Sequence, residues 1–314
     1  MRIYSAVDAI HPKLDRPLVT LGNFDGVHRG HQFVIGQVLE RSRATGRPAL
    51  LVTFDPHPLK VVRPQSAPPL LQSHGDKMAR IEALGVEHVL VLPFTRAFAE
   101  IPAETFIREI LRDGLGATAV YVGNNFNFGR GRQGNLDLLR RMGRELGIEV
   151  PEIPDFLVLG SPVSSSRIRR AVRSGEVELA RELLGRPYSI AGRVVHGDSR
   201  GTSLGFPTAN LETPAELVPA EGVYVTRVRL ESGERDAVTN VGSRPTFQGA
   251  AFAIETHFLD PAPDLYGAPM EIGFLGRLRA EVRFDSAEQL RRQIAADVER
   301  ARRFLQAHPA GGPG

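Results

Sequence analysis

The stretch PLVTLGNFDGVHRGHQFV (17–34) decides the fold of the first half of the chain. It begins as an apolar run that predicts a buried strand over 17–23, and the apolar spacing after it predicts a helix over 31–45. The same alternation continues, with strands predicted at 48–54, 86–94, 118–123 and from GIEVPEI (147–153) onward, and helices at 76–84, 102–113, 135–146, 164–174 and 177–184. Strands that are apolar throughout and alternate with helices predict a doubly wound parallel sheet.

The pattern changes after Arg186 to short strands separated by Gly, Pro and Asp clusters. These predicted strands cover 188–197, 222–230, 236–242, 252–259, 270–276 and 278–284. Regular short strands of this kind predict an antiparallel barrel or sandwich, and an amphipathic stretch at 285–305 predicts one long helix. The fold class is therefore α/β plus all-β, with domains at 1–185 and 186–306 and a disordered tail at 307–314.

Composition excludes several classes of protein. The 314 residues are 42% hydrophobic and 24% charged and include no cysteine, which excludes disulfides, thiolate metal sites and cysteine nucleophiles. No apolar run is long enough for a membrane span, and the first residues lack the pattern of a secretory signal. We therefore expect a cytoplasmic protein that has no membrane partner.

The basic residues are almost all arginines. Lys13, Lys60 and Lys77 are the only lysines among 39 basic residues, and no G-K-[ST] string occurs, so a P-loop is excluded. Phosphate binding is expected to use Arg, His, backbone N–H groups or a metal, without lysine. The net charge of +3 and pI of about 9.5 are compatible with a nucleic-acid partner, but a solvated Arg-rich surface is the simpler interpretation.

GNFDGVHRGH (22–31) joins the first of these predicted strands to its helix. Gly22, Gly26 and Gly30 permit a close approach of backbone to ligand, and the helix N-terminus favours an anion. His28 and His31 lie three residues apart, so both can face one side and donate hydrogen bonds to phosphate. Turn histidines with a capping contact are the structural alternative. A zinc pair is less favoured because no third ligand stands nearby.

These residues and three further strings resemble the motifs of a known enzyme family. The string G-x-F-D-G-x-H-x-G-H resembles the loop of the HxGH nucleotidyltransferases, and TFDPHP (53–58), VGNNFNFGRGRQGN (122–135) and VSSSRIR (163–169) follow in order. Together they are similar to the adenylyltransferase half of bacterial bifunctional riboflavin kinase/FAD synthetases. The resemblance implies His28 and His31 as catalytic residues, and ATP or phosphate binding by Gly22, Phe24, Asp25, Gly26, Gly30, Ser164, Ser165 and Arg167. Ser164, Ser165 and Arg167 can equally form the N-cap of the predicted helix, and the N-cap role and the phosphate-binding role can hold at once.

The same resemblance implies a flavin site. Its residues are Phe54, Pro56, His57, Pro58, Asn125, Phe126 and Phe128. A rigid strand exit is the alternative for TFDPHP. Phe126 and Phe128 can flank a flat ring while Arg130 and Arg132 meet phosphates, or they can form a surface loop with one buried Phe. Asn125 departs from the Asp expected at its position, which puts any charge-dependent role there in doubt.

The second half resembles the riboflavin kinase domain of the same family. The strings are GRVVHGDSRGTSLGFPTANL (192–211), PAEGVYVTRV (219–228), TNVGSRPTF (239–247) and IETHFLDPAPDLYG (254–267). Thr208 and Asn210 supply hard oxygens that suit Mg²⁺, although P-T-A-N alone is more typical of a turn. The resemblance identifies Glu255 as the base for a neutral alcohol, the alternative being a strand Glu that faces solvent. Arg200 lies in a Gly-rich segment expected near the ATP phosphates.

The resemblance implies two ATP-dependent, Mg²⁺-dependent steps. Riboflavin becomes FMN in the second half, and FMN becomes FAD in the first. One alternative is that only one half is active while the other binds flavin. Another is a flavin-sensing regulator that binds nucleic acid, which the absence of a recognisable nucleic-acid motif disfavours. The expected partners are riboflavin, FMN and ATP, and not nucleic acid; the sequence does not determine the oligomeric state.

Overall fold

The protein divides into two compact units, Met1–Val163 and Ser164–Gly314. The structure, a computed structural model, describes residues 1–197, 205–246, 249–261 and 265–308, and the side chains of 243–252 are not described. Arg200 and most of the predicted tail therefore lie outside the described residues. The boundary expected at 185/186 stays a prediction. Within the described ranges, no helix is both long and apolar enough to cross a membrane.

A parallel sheet forms the centre of the first unit. Its strands are β1 (Arg2–Tyr4), β2 (Leu18–Leu21), β3 (Ala49–Asp55), β4 (His88–Pro93) and β5 (Ala119–Tyr121), in the order β1-β4-β3-β2-β5. Alternate strand residues enter two separate apolar clusters: Val19 and Val52 belong to one, and Leu18 and Leu51 to the other. The sheet is therefore covered on both faces, which explains why its strands are apolar throughout. The predicted α/β class is confirmed.

Helices and short turns connect these strands. They are α1 (Arg29–Thr45), α2 (Pro58–Val62), α3 (His74–Ala83), α4 (Arg96–Ala99), α5 (Ala103–Thr105), which continues as a π-helix over Phe106–Gly114, and α6 (Leu136–Leu146). Short 3₁₀ turns lie at Val7–Ala9, Pro64–Ser66 and Arg130–Arg132, and a small hairpin pairs β6 (Leu157–Val158) with β7 (Ser161–Pro162). The strand predicted from GIEVPEI is wrong, because Glu149 alone bridges to Ala119 and Pro151 and Pro154 remove backbone donors that a strand needs.

The second unit is a closed antiparallel barrel. Its strands are β8 (Tyr188–Val195), β9 (Ala209–Glu212), β10 (Gly222–Leu230), β11 (Gly233–Thr246), β12 (Gly249–Phe258) and β13 (Pro269–Arg279), in the closed order β10-β11-β12-β9-β8-β13. The barrel alternative is confirmed over the sandwich. The separate strand predicted at 278–284 is wrong. Strand β13 runs unbroken to Arg279, whose partner Val223 lies at the start of β10, so the residues after it have no strand to join.

Three helices accompany the barrel. Helices α7 (Ser165–Ser174) and α8 (Val177–Leu184) precede it, and α9 (Ala287–Ala307) follows it. Helix α8 packs against β8 and β13, and Glu178 accepts a hydrogen bond from the Arg277 backbone N–H at 2.8 Å. Buried Asp297 of α9 pairs with Arg279 at 2.8 Å. The helices are thus attached to the barrel by specific polar contacts as well as by apolar packing.

Candidate active sites

The loop of residues 22–28 lies at the point where the strand order of the sheet reverses. It leaves β2, which has β3 on one side and β5 on the other. In open α/β sheets, ligands bind outside the carboxyl ends of the strands at such a switch point. The sheet topology therefore gives this loop the position that is typical of a nucleotide site.

Buried side chains and unusual backbone angles fix the shape of this loop. Phe24, Gly26 and Val27 all have positive φ, at 48°, 88° and 39°. Phe24 and Val27 are buried in the apolar cluster under α1. Asp25 is also buried, and its carboxylate accepts a hydrogen bond from the Leu71 backbone N–H at 3.0 Å. Such strained conformations persist only where the surroundings enforce them, and they are frequent at binding sites.

His28 and His31 lie side by side at the N-terminus of α1. His28 is the N-cap residue, and its Nδ1 accepts a hydrogen bond from the His31 backbone N–H at 3.2 Å. The two rings stack with centroids 3.6 Å apart. A Cβ at Gly30 would lie 3.2 Å from the His28 ring, so this position favours glycine. The predicted same-side arrangement and the capping contact are both present.

The surroundings of His31 favour a neutral imidazole. Its pKa lies well below the usual value, chiefly because burial penalises the charged form, and secondly because His28 and Lys77 add positive charge. Its Nδ1 is buried and makes no hydrogen bond with the part of the chain that the structure describes. A neutral ring at a helix N-terminus can act as a hydrogen-bond donor to an anion without carrying a formal charge.

Lys77 belongs to the same region, and the expectation that phosphate binding uses no lysine stays a prediction. It lies on α3 and lines a cleft of ≈ 30 Å³ together with Asn23, Asp25, Asp55 and His57. Its ammonium is within 3.3 Å of Thr53 Oγ1 and donates to the Phe54 carbonyl. Sequence reasoning missed it because a single lysine on an amphipathic helix matches no motif.

The residues predicted to bind flavin lie at the ends of β3 and β5. Phe54 contacts the rings of Phe94 and Phe98, and His57 caps α2 by accepting from the Leu59 backbone N–H at 3.2 Å. Pro56 is exposed, and Pro58 is the first residue of α2. This arrangement is compatible with the rigid strand exit as well as with a binding role, so the flavin assignment stays a prediction.

Phe126 and Phe128 lie next to each other in the loop that follows β5. They stack directly on each other with centroids 5.2 Å apart, whereas a ring inserted between them would need roughly 7 Å, twice the contact distance of carbon atoms. Phe128 is buried, Phe126 is half-buried and Asn125 is exposed. The loop therefore has the single buried Phe of the structural alternative, and flavin binding by Asn125, Phe126 and Phe128 stays a prediction.

Ser164, Ser165 and Arg167 belong to the second unit, at the start of α7. Ser164 is the N-cap residue, and its Oγ accepts a hydrogen bond from the Arg167 backbone N–H at 3.3 Å. The N-cap interpretation is therefore correct. Phosphate binding by these residues stays a prediction, as does the role of Arg200, which lies outside the described residues.

In the barrel, a row of polar side chains crosses three neighbouring strands. Asn210 of β9 pairs in register with Glu255 of β12, and Glu255 pairs with Asn240 of β11. Directly paired residues of antiparallel strands have Cβ atoms about 5 Å apart. Glu255 is half-buried, which is compatible both with a role as base and with the alternative of a strand Glu that faces solvent. Asn240 was not singled out from the sequence, because only the register brings it beside Glu255.

The Asn210 side chain is packed against the backbone of Gly197. A Cβ at Gly197 would lie 2.1 Å from Asn210 Nδ2, so no other residue type fits while Asn210 keeps this position. Thr208, two residues earlier, lines a cavity of ≈ 490 Å³ together with Pro207, His257 and Tyr266. Of the two predicted metal residues, Asn210 therefore belongs to the polar row and Thr208 lines the cavity.

The donor set here suits a hard cation. Thr208 offers a hydroxyl and Asn210 an amide oxygen, and the register adds the carboxylate of Glu255. Mg²⁺ prefers a few such oxygen ligands, completed by water and phosphate, to a full protein cage. Among the described residues there is no cluster of three or more His, Cys, Asp or Glu side chains suited to a metal. The oxygen ligands of Thr208 and Asn210 thus fit Mg²⁺.

Comparison with known proteins agrees with both halves of this description. The model of the FAD synthetase family matches residues 11–167, and that of the riboflavin kinase family matches residues 184–305. The bifunctional riboflavin kinase/FMN adenylyltransferase of Escherichia coli K12 is 39% identical over 290 residues, which cover 92% of each chain. The enzyme of the same name from Pseudomonas fluorescens is 38% identical over 303 residues, which cover 96% of this chain and 97% of its own.

A solved structure from Streptococcus pneumoniae, described as a macrolide-efflux protein, also has this fold. It is 30% identical with a TM-score of 0.86, and the match covers 96% of this chain and 98% of that one. The two family models occupy the two halves in the order expected from the sequence motifs, and the relatives match along nearly their whole length. The chain belongs to the bifunctional riboflavin kinase/FMN adenylyltransferase family.

Proposed function

We propose that the chain makes FAD from riboflavin in two ATP-dependent steps, each in its own unit. The barrel unit converts riboflavin and ATP to FMN and ADP, and the α/β unit converts FMN and ATP to FAD and pyrophosphate. The observation that carries this conclusion is the match of both family models, FAD synthetase over residues 11–167 and riboflavin kinase over residues 184–305, to one chain.

The adenylyl step needs positioning more than it needs a base. The nucleophile is a phosphate oxygen of FMN, which is already ionised. It attacks the α-phosphorus of ATP, and pyrophosphate leaves with the electrons of the broken P–O bond. His28 and His31 are proposed to donate hydrogen bonds to the phosphates at the N-terminus of α1. Fixed donors aimed at the developing charge lower the barrier because they do not have to reorganise during the reaction.

The kinase step needs a base because its nucleophile is a neutral alcohol. The terminal ribityl hydroxyl attacks the γ-phosphorus of ATP while its proton passes to Glu255, and ADP leaves. Half-burial and the neighbouring Asn210 and Asn240 give Glu255 a defined position. A bound Mg²⁺ would neutralise charge on the ATP phosphates. Thr208 and Asn210 are the residues proposed to hold it.

Product analysis tests this proposal. The purified chain is incubated with riboflavin, ATP and Mg²⁺, and the flavins are separated by chromatography; we expect FMN first and then FAD. A second reaction that starts from FMN must release pyrophosphate in step with FAD. Accumulation of FMN alone, or FAD formation from added FMN alone, would support the alternative in which one half only binds flavin. No turnover together with tight, salt-sensitive nucleic-acid binding would support the regulator.

A further inference from the structure

Lys77 is the one lysine among the three of this chain that is buried. It is 7% exposed, whereas Lys13 is exposed and Lys60 lies half-exposed in the middle of α2. Burying an ammonium is unfavourable unless partners compensate for the lost hydration. A buried lysine at the edge of a ligand site therefore requires an explanation that a surface lysine does not.

The contacts of Lys77 connect the two loops of the first unit that leave β2 and β3. Its Nζ is 3.3 Å from Thr53 Oγ1 and 3.3 Å from the Phe54 carbonyl oxygen, both at the end of β3. The Thr53 hydroxyl donates in turn to the carbonyl of Asn23 at 3.3 Å. Thr53 is itself fully buried. A chain of polar contacts therefore runs from α3 through β3 to the loop that carries His28 and His31.

Two carboxylates compensate for the ammonium of Lys77, so its positive charge is not in excess and is not available for a ligand anion. Burial lowers the pKa of Lys77, while the carboxylates of Asp55 and Asp25 act in the opposite direction and favour the charged form. Both aspartates line the same cleft. Two histidines, His57 and His74, also line the cleft, and His74 Nδ1 is 3.8 Å from a carboxylate oxygen of Asp55. With two carboxylates beside it, Lys77 suits the role of an internal counter-charge and not that of a direct phosphate ligand.

We propose that Lys77 is a positioning residue for adenylyl transfer, which holds the loop of residues 22–28 in place through Thr53 and sets the electrostatic environment of His31. This inference rests on the proposed function of the first unit. The positive charge of Lys77 is one of the two charges that lower the pKa of His31, the other being His28. Removing the ammonium should therefore leave His31 less strongly biased toward its neutral form, and should also release the end of β3.

The test compares Lys77→Met with wild type and with Lys13→Met, a matched change at an exposed lysine. We expect Lys77→Met to lower kcat/KM for FAD formation from FMN by roughly tenfold to a hundredfold, the loss typical of misplaced catalytic groups. FMN formation in the other unit should be unchanged, which shows that the barrel unit is intact. In the same variant, the imidazole resonances of labelled His31 should titrate at a higher pH than in wild type. Lys13→Met should match wild type in all three measurements.

A second variant separates the polar contacts from the charge. Thr53→Val removes the hydroxyl that joins Lys77 to Asn23 but keeps the ammonium. We expect a smaller loss of FAD formation and an unchanged titration of His31. If Lys77→Met leaves both FAD formation and the His31 titration as in wild type, the inference is wrong. It is equally wrong if activity falls only in proportion to lost stability while His31 titrates as before. Absence of FAD formation in wild type would instead refute the proposed function itself.

Discussion

Replacing Gly197 by alanine tests whether the position of Asn210 is needed for the kinase step. The backbone of Gly197 does not adopt the left-handed conformation, so alanine is compatible with it. Its new Cβ, however, would lie 2.1 Å from Asn210 Nδ2 and 2.5 Å from Asn210 Cγ. Non-bonded atoms need roughly 3.5 Å, so the amide must withdraw by about 1.4 Å.

The displacement should affect activity far more than stability. Asn210 can rotate away, and an off-rotamer side chain costs about 1 kcal/mol. A displacement of about 1 Å in an active site can reduce the rate roughly a hundredfold, which corresponds to about 2.7 kcal/mol in transition-state free energy. We therefore expect Gly197→Ala to lower FMN formation about a hundredfold, while the melting temperature changes by only a few degrees.

The assay is the initial rate of FMN formation from riboflavin and ATP, with FAD formation from FMN in the same sample as an internal control. Gly36→Ala is the matched glycine control, because a Cβ there meets nothing within 4 Å. Asn210→Ala and the double variant complete a cycle. If the new methyl group acts through Asn210, it should have no further effect once Asn210 is alanine. A wild-type rate in Gly197→Ala, or an undiminished loss in the Asn210→Ala background, would refute the reasoning.

Three further substitutions test whether the two reactions use separate sites and whether buried Tyr224 of the barrel makes stability depend on pH. His28→Ala should reduce FAD formation at least a hundredfold and leave FMN formation intact; loss of both activities in a folded chain would contradict two separate sites. Glu255→Gln should do the reverse, with FMN formation falling by roughly 10²–10⁴, and an unaffected kinase rate would exclude Glu255 as the base. Burial raises the pKa of Tyr224 to about 12, so the folded state keeps a proton that the unfolded state loses near pH 10, and stability falls between those values. Chemical denaturation should show that Tyr224→Phe lacks this decline, about 2–3 kcal/mol, and a parallel pH dependence in both proteins would disprove it.

Local patterns were sufficient to predict most of the first unit. Continuous apolar strands and amphipathic helices recur there, and the Gly-rich loop with His28 and His31 lies at the sheet edge where such a loop was expected. Strand β1 was not predicted, because the three residues Arg2–Tyr4 are too few to show the apolar pattern of a strand. Their conformation is fixed by pairing with His88–Leu90. The incorrect strand at 278–284 has a related cause. Its residues favour a strand locally, but β13 ends at Arg279 because its partner strand β10 begins there.

The parts of the sites that sequence could not predict depend on long-range register. Glu255 and Asn210 were found from motifs, whereas Asn240 becomes a neighbour of Glu255 only through the pairing of β11 with β12. Lys77 approaches Thr53 because α3 packs beside the end of β3. No sequence motif around Lys77 indicates that contact. The stacking of Phe126 on Phe128 is another contact that the sequence does not specify, since the spacing of the two residues does not determine which rings meet.

The attachment of α8 to the barrel has a consequence during protein synthesis. Glu178 contacts Arg277, 99 residues later in the chain, and α8 packs against β13 in the same region. At about 5–20 residues per second, the ribosome needs roughly 5–20 s to add that length. During this interval the apolar side chains of Leu183 and Leu184, which are buried in the finished protein, lack this partner strand. The nascent chain is therefore exposed to aggregation after its first unit is complete and before β13 emerges, which is the interval in which a chaperone would be of most use.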